Sequence, residues 1–234
     1  MTLILLQRVS ASIFSAGLTL CLTASCVFAG EAGPAGPVSG TASWFGAWHH
    51  GKNTASGEPF DMYAMTAAHR KLPFGTVIRV TNTRNGKDVV VRINDRGPYR
   101  KKRILDLSYA AADRLGMRAS GTAPITLEVV GDTGGRPLED GQAFFVRLAE
   151  QAPASASLLE QQMGRLVRVG FQEAPTLLCT TDNAVALGPF DSFQAAQETL
   201  VRVSTLYPFA SIMLIDRGKT RPVVLPPDAA ASGT

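Results

Sequence analysis

The 234-residue sequence predicts a compact, mostly β barrel followed by a smaller α+β unit. Three observations carry that reading. Short β-branched or alternating runs recur between residues 41 and 130, with one helical stretch among them. A turn-rich segment, GDTGGRPLEDG at 131–141, then breaks the pattern. Beyond it, strand-like and helix-like periods succeed one another roughly as βαββαβ, the ferredoxin-like arrangement.

Each element has its own signal. Thr41–Phe45 reads as a first strand and Thr76–Thr81 as a second. Asn85-Gly86 marks a hairpin, because a tight turn of that kind needs positive φ. The returning strand is Lys87–Asn94. Its Val89, Val91 and Ile93 share one face by the two-residue period, and Asp95 continues that parity. Ser108 is a good N-cap for Tyr109–Leu115, with Gly116 as the stop, and Leu107, Ala111 and Leu115 make one side of this helix apolar. Ile125–Val130 alternates as another strand. In the second unit Ala143–Leu148 is a strand, and Ser155–Leu166 a helix carrying Leu158, Leu159, Met163 and Leu166 on one side. Leu166–Val169 either closes that helix or opens a strand. Ala184–Leu187 is a strand running into Gly188-Pro189-Phe190. Asp191 or Ser192 caps a helix to about Leu206, and Phe209–Ile215 is the last strand. The Pro/Ala-rich stretch 217–234 is expected to be a disordered tail.

The N-terminus reads as a leader. After Arg8 comes the apolar run VSASIFSAGLTLCLTASCVFA, and then GEAGPAGPVSG. Residues 1–29 are therefore expected to be a signal peptide, cut after Val27-Phe28-Ala29; an uncleaved anchor is the rival reading. Leu22–Cys26 also resembles a bacterial lipoprotein cleavage box, with Thr23 where an aliphatic residue is usual, so Cys26 is the candidate lipidation site. Cys21 and Cys26 lie in the leader and Cys179 stands alone in the body, which excludes a disulfide framework in the mature chain. The expected divisions are a linker at 30–39, the barrel at 40–131, a linker at 132–140 and the second unit at 141–216. The net charge of +4 is mild. It suits an anionic partner and gives little support to nucleic-acid binding.

Two blocks carry candidate chemistry. TASGEPFDMYAMTAAH at 54–69 holds Glu58, Asp61 and His69, and INDRGPY at 93–99 holds Asp95 at a strand end before a Gly-Pro turn. Glycoside cleavage needs one group to protonate the leaving oxygen and another to accept a proton or stabilise charge, and Asp95 with Glu58 or Asp61 could be such a pair. The plainer reading makes Asp95 an acceptor for turn N–H groups and His69 a structural hydrogen-bonder. No standard ligand spacing supports a metal, and no cofactor is expected. Arg96, Arg100, Lys101, Lys102 and Arg103 are a solvated basic turn or an attractor of anionic polymer. Trp44, Phe45, Trp48 and Tyr99 stack on sugars or fill the core. Cys179 is expected to be buried and inert.

From about Gly40 to Val130, blocks such as TASGE-x-FDM and RINDRGP closely resemble the double-psi β-barrel domain of the rare lipoprotein A (RlpA) family, bacterial septal-ring lytic transglycosylases. Expansins share that barrel more remotely. LGPFDSFQAAQETL, followed by a strand, resembles a SPOR domain, a module that binds peptide-free peptidoglycan glycans at division sites; its first strand reads FFVRLAEQA, without the Gly-x-Phe frequent there. The resemblance implies a six-stranded double-psi barrel followed by a ferredoxin-like SPOR-like unit. It implies endolytic cleavage between N-acetylmuramic acid and N-acetylglucosamine in peptide-free strands, with 1,6-anhydro ends. Asp95 is then the general acid and base. Glu58 and Asp61 stabilise charge or hold the sugar, and His69 positions a carboxylate. Trp44, Arg96 and Tyr99 bind substrate, with the basic cluster meeting the lactyl carboxylates. It further implies an exported protein of the periplasm or cell envelope, enriched at the septum, with glycan strands and septal cell-wall proteins as partners and membrane contact only through a lipid on Cys26. A non-catalytic, expansin-like wall-binding protein is the alternative.

Overall fold

The computed structural model describes residues 36–100, 102–149, 161–166, 171 and 177–222. The leader with Cys26, residues 30–35, Lys101, residues 155–160 and 167–170, and the stretch 223–234 lie outside the described residues.

The first unit has six strands: β1 (Val38–Trp44), β2 (Thr66–His69), β3 (Val77–Asn82), β4 (Asp88–Asp95), β5 (Arg103–Leu107) and β6 (Thr122–Gly131), with α1 (Tyr109–Arg114) between the last two. They close into a barrel in the order β1-β5-β2-β4-β3-β6, β6 pairing back onto β1. The expected runs at 41–45, 76–81, 87–94 and 125–130 are β1, β3, β4 and β6. The other two strands carry weak signals, TAAH being short and Ala-rich and RILDL following a basic run. Both form parallel pairs that close the barrel, β1 with β5 and β2 with β4. Val89, Val91 and Ile93 of β4 are fully buried, each stabilising the fold by about 1.5–3 kcal/mol. The β3–β4 turn uses positive φ only at Gly86, with Asn82 and Lys87 paired across it through Asn82 N–H to Lys87 C=O at 2.8 Å. Ser108 caps α1 by accepting from Ala111 N–H, and Gly116 follows with φ of 68°.

Two register irregularities set the site. Between β2 and β4, Ala67 pairs with Ile93 but Ala68 pairs with Asp95, so Asn94 is an extra residue. Between β1 and β5, Thr41 pairs with Arg103 and Ala42 with Leu105, so Ile104 is extra. A bulge of this kind turns the residues after it to the other face. Asp95 therefore does not continue the parity of Val89, Val91 and Ile93, as the two-residue period predicts. It shares the row of Ala68, which faces away from the Ala67–Ile93 core.

The second unit has β7 (Gln142–Ala149), a helix α2 over 161–166, β8 (Leu177–Thr180), β9 (Val185–Phe190), α3 (Phe193–Val203), β10 (Ser211–Asp216) and β11 (Thr220–Pro222). The sheet order is β10-β7-β9-β8-β11 with antiparallel pairs. Its first four strands follow the ferredoxin-like order, and β11 adds an edge. β8, which the sequence reading passed over, supplies the second strand of βαββαβ and buries Cys179. The helix after Ser192 ends at Val203, short of Leu206. The stretch 217–234 is not tail throughout: Arg217–Lys219 forms a 3-10 turn and Thr220–Pro222 pairs with β8, giving the backbone polar groups of that sheet edge partners.

Candidate functional site

The site lies on the outer face of β1, β5, β2 and β4, where cross-strand pairing lines up Ser43, Asp106, Ala68 and Asp95. Directly opposed residues point to one face. Side-chain contacts agree: the Ser43 hydroxyl donates to Asp106 Oδ1, and Gly97 packs over both Ala68 and Asp106, leaving 3.8 Å from an added Cβ to Ala68 Cβ and to Asp106 Oδ2. Asp95 and Asp106 sit two strands apart, so their backbones are about 10 Å from one another.

Asp95 Oδ1 accepts from Ala55 N–H at 2.9 Å and from its neighbour Arg96 N–H at 2.8 Å. Both are backbone donors in the two blocks singled out from sequence, and they fix the carboxylate while Oδ2 has no partner among the described residues. The 54–58 loop is itself docked on β4, since Ser56 N–H donates to Asn94 C=O at 3.2 Å. Glu58 follows, its Oε1 gripped by Arg92 Nη2 at 2.7 Å and Asn94 Nδ2 at 2.6 Å. The structure thus brings Glu58 and Asp95 to the same end of β4. Arg92 and Asn94, the side chains that hold Glu58, were missed by sequence reasoning, which treated 87–94 only as a strand.

Asp61 is exposed at a turn. Its Oδ1 accepts from Tyr63 N–H at 2.9 Å and lies 3.9 Å from His50 Nδ1. His69 takes no carboxylate partner among the described residues. Its Nδ1 accepts from Leu72 N–H at 2.9 Å and Lys71 N–H at 3.2 Å, closing the turn after β2. Burial, and then the cations Arg96 and Arg70, hold its imidazole below the ordinary histidine range.

The expected substrate binders divide. Tyr99 is 83% exposed beside the Gly97-Pro98 turn and open to a ligand. Stacking at Trp44 is limited, because its half-buried ring packs on the core and edge-on to Tyr109 at 5.8 Å. Arg96 is already committed: its guanidinium lies 3.7 Å over Phe74 and donates to Leu72 C=O at 2.9 Å and His69 C=O at 3.3 Å. These contacts hold its guanidinium against the turn after β2, whereas Arg100 and Lys102 are exposed. Arg103 lies along the same outer face, donating to Ser43 Oγ at 2.5 Å and lying 3.7 Å from Asp106.

Asp106 is a carboxylate of this row that sequence reasoning did not single out. It is 5% exposed, yet its Oδ2 reaches the Gly97 turn. The signal available was a lone acid inside the apolar run ILDL, a stretch to which the sequence reading assigned no element. No cluster of ligands able to hold a metal occurs among the described residues.

Comparisons with known proteins follow the same residues. The family described as "Lytic transglycolase" matches residues 38–127, from β1 into β6. The chain is 39% identical over 188 residues to "Endolytic peptidoglycan transglycosylase RlpA" of Vibrio cholerae serotype O1, covering 76% of this chain and 70% of that protein. It is 38% identical over 163 residues to the protein of that name from Neisseria meningitidis serogroup B, covering 68% of each. Among solved structures, apo Clavibacter michiganensis expansin overlaps 80% of this chain and 90% of its own at 16% identity and a TM-score of 0.35, too slight a likeness to carry an argument. With these two relatives well above 30% identity and each covered over more than two thirds of its own length, the chain belongs to the RlpA family.

Proposed function

We propose that this chain is an endolytic peptidoglycan transglycosylase that cuts between N-acetylmuramic acid and N-acetylglucosamine in peptide-free glycan strands and leaves 1,6-anhydro ends. The observation that carries the reading is the outer-face row in which Asp95, fixed through Oδ1 by two backbone N–H groups, keeps Oδ2 free in the same row as a second carboxylate, Asp106.

Asp95 donates its proton to the bridging oxygen as the bond from that oxygen to the muramyl C1 breaks. The muramyl C6 hydroxyl attacks C1 and closes the anhydro ring, and its proton passes to Asp95. One proton leaves the acid and one returns, so no water is consumed and no metal-activated nucleophile is required. The intramolecular attack gains the proximity advantage of a tethered nucleophile. Asp106 stabilises the positive charge that develops at C1. Glu58 locks the 54–58 loop so that Ala55 N–H meets Asp95, Asp61 and Tyr99 contact the sugar, and His69 shapes the turn beneath.

The leader directs the chain to the periplasm or cell envelope. Cleavage after Ala29 or lipidation at Cys26 completes processing, and the N-terminal residue of the exported protein distinguishes them. The unit at 141–216 acts as a SPOR-like module for peptide-free glycan at the septum.

The test is mass spectrometry of products from peptide-free strands, with wild type beside D95N and D106N. Wild type should yield anhydro-muramyl ends, one water lighter than hydrolytic ends. Both variants should still bind, with cleavage lowered by about 100-fold or more. Reducing muramic ends from wild type would make it a hydrolase, and intact strands that remain bound would make it a wall-binding protein.

A further inference from the structure

A chain of rings lies beside the site and has no part in the cleavage chemistry. The Tyr63 ring, 63% exposed, sits 5.9 Å from His50 and 6.4 Å from Tyr109, edge-on to both, and Tyr109 meets Trp44. Its backbone N–H holds Asp61 Oδ1, and Met62 N–H donates to His50 Nδ1 at 3.2 Å. The His50 lone pair is therefore occupied by the backbone, while about half of the Asp61 side chain faces solvent.

An exposed ring held by its neighbours, next to an exposed carboxylate, matches an uncharged sugar. The C–H face of the pyranose lies on the ring and its hydroxyls donate to the carboxylate. The same carboxylate disfavours a muramyl unit, whose lactyl group is also negative. In a strand whose charge recurs on every second sugar, that contrast selects one unit of each pair. Tyr63 is five residues before Ala68, which puts it within about 17 Å of the Asp95 row along the chain.

We propose that Tyr63, with Asp61 and His50, forms a distal subsite that takes an uncharged N-acetylglucosamine unit of the glycan and so sets the register in which the strand crosses Asp95. This rests on the glycan-cleaving reading above, but the subsite can be measured without cleavage. Chitohexaose contains only N-acetylglucosamine and lacks the lactyl group, so calorimetric titration of the full mature chain with it, the sugar checked by mass spectrometry to be intact afterwards, reads binding alone. Wild type and Y63F should bind alike, and Y63A should bind about tenfold more weakly. On peptide-free strands, Y63A should raise KM by a similar factor and change kcat by less than about twofold. The proposal is overturned if Y63A, with a native melting temperature, binds chitohexaose as wild type does, or if wild type does not bind it. Absence of cleavage by wild type would sink the transglycosylase reading instead, leaving the titration to decide the subsite.

Discussion

Asp95 is oriented by peptide groups, not by a charged partner: Ala55 and Arg96 N–H fix one oxygen and leave the other toward the outer face. Glu58 does the complementary work. Its ion pair with Arg92 is partly solvated, with 22% and 38% of the two side chains exposed, and a pair in that setting contributes only about 0–1 kcal/mol. Its value is positional, since the loop it anchors delivers Ala55. His69 provides a pH test. Its pKa is lowered in the fold, so on acidification the unfolded chain takes up the proton first. Stability from this group is complete above the ordinary histidine value of about 6.5 and falls as pH drops below it. In thermal melts across that range, wild type should lose melting temperature more steeply than H69Q. Parallel curves would show that the imidazole is not held neutral. Glu58, Asp61 and Asp95 were legible in the sequence because they sit in distinctive blocks. Arg92 and Asn94 were not, because nothing local separates a strand's outward side chains from the grip on Glu58.

At the scale of elements, the two bulges matter more than the strands they interrupt. The extra residues Asn94 and Ile104 bring Asp95, Arg103 and Asp106 to one face. Gly97 then closes over the row with φ of 144°, where only glycine is at ease. An added Cβ would meet nothing nearer than 3.8 Å, so the cost of replacement lies in the backbone and not in a clash. G97A is expected to lose about 1–3 kcal/mol of stability in urea titration, and to cleave more slowly under conditions where it remains folded. Wild-type stability and rate would show that the turn does not need this conformation. A strict two-residue period assigns Asp95 to the core because it has no means of registering an inserted residue. The pairing partner Ala68, more than twenty residues upstream, decides the matter. β2 and β5 escaped for a related reason: each is short, and its stabilisation comes from parallel neighbours distant in sequence.

At the scale of the whole molecule, the barrel and the second sheet meet through cations on the barrel and carbonyls on β10 and the residue before it. Arg79 Nη2 donates to Leu214 C=O at 3.0 Å, and Arg114 Nε donates to Ala210 C=O. Both acceptor residues are buried. Removing either donor leaves a shielded carbonyl short of a partner, at about 1–3 kcal/mol. R79A and R114A should each lower the calorimetric melting temperature. Unchanged melting in both would mean that the junction does not depend on these bonds. The sequence by itself determined the alternating barrel strands, the capped helix, most of the βαββαβ order and the two blocks that hold Glu58, Asp61, His69 and Asp95. Those features are written in local periods, caps and turn residues, which act over a few positions. Only the tertiary structure decided that Asp95 faces outward, that Asp106 joins it, that Arg96 is spent on bracing and that the edge strand β11 exists. Each depends on register and burial between segments far apart in the chain, where one inserted residue changes the face a side chain meets.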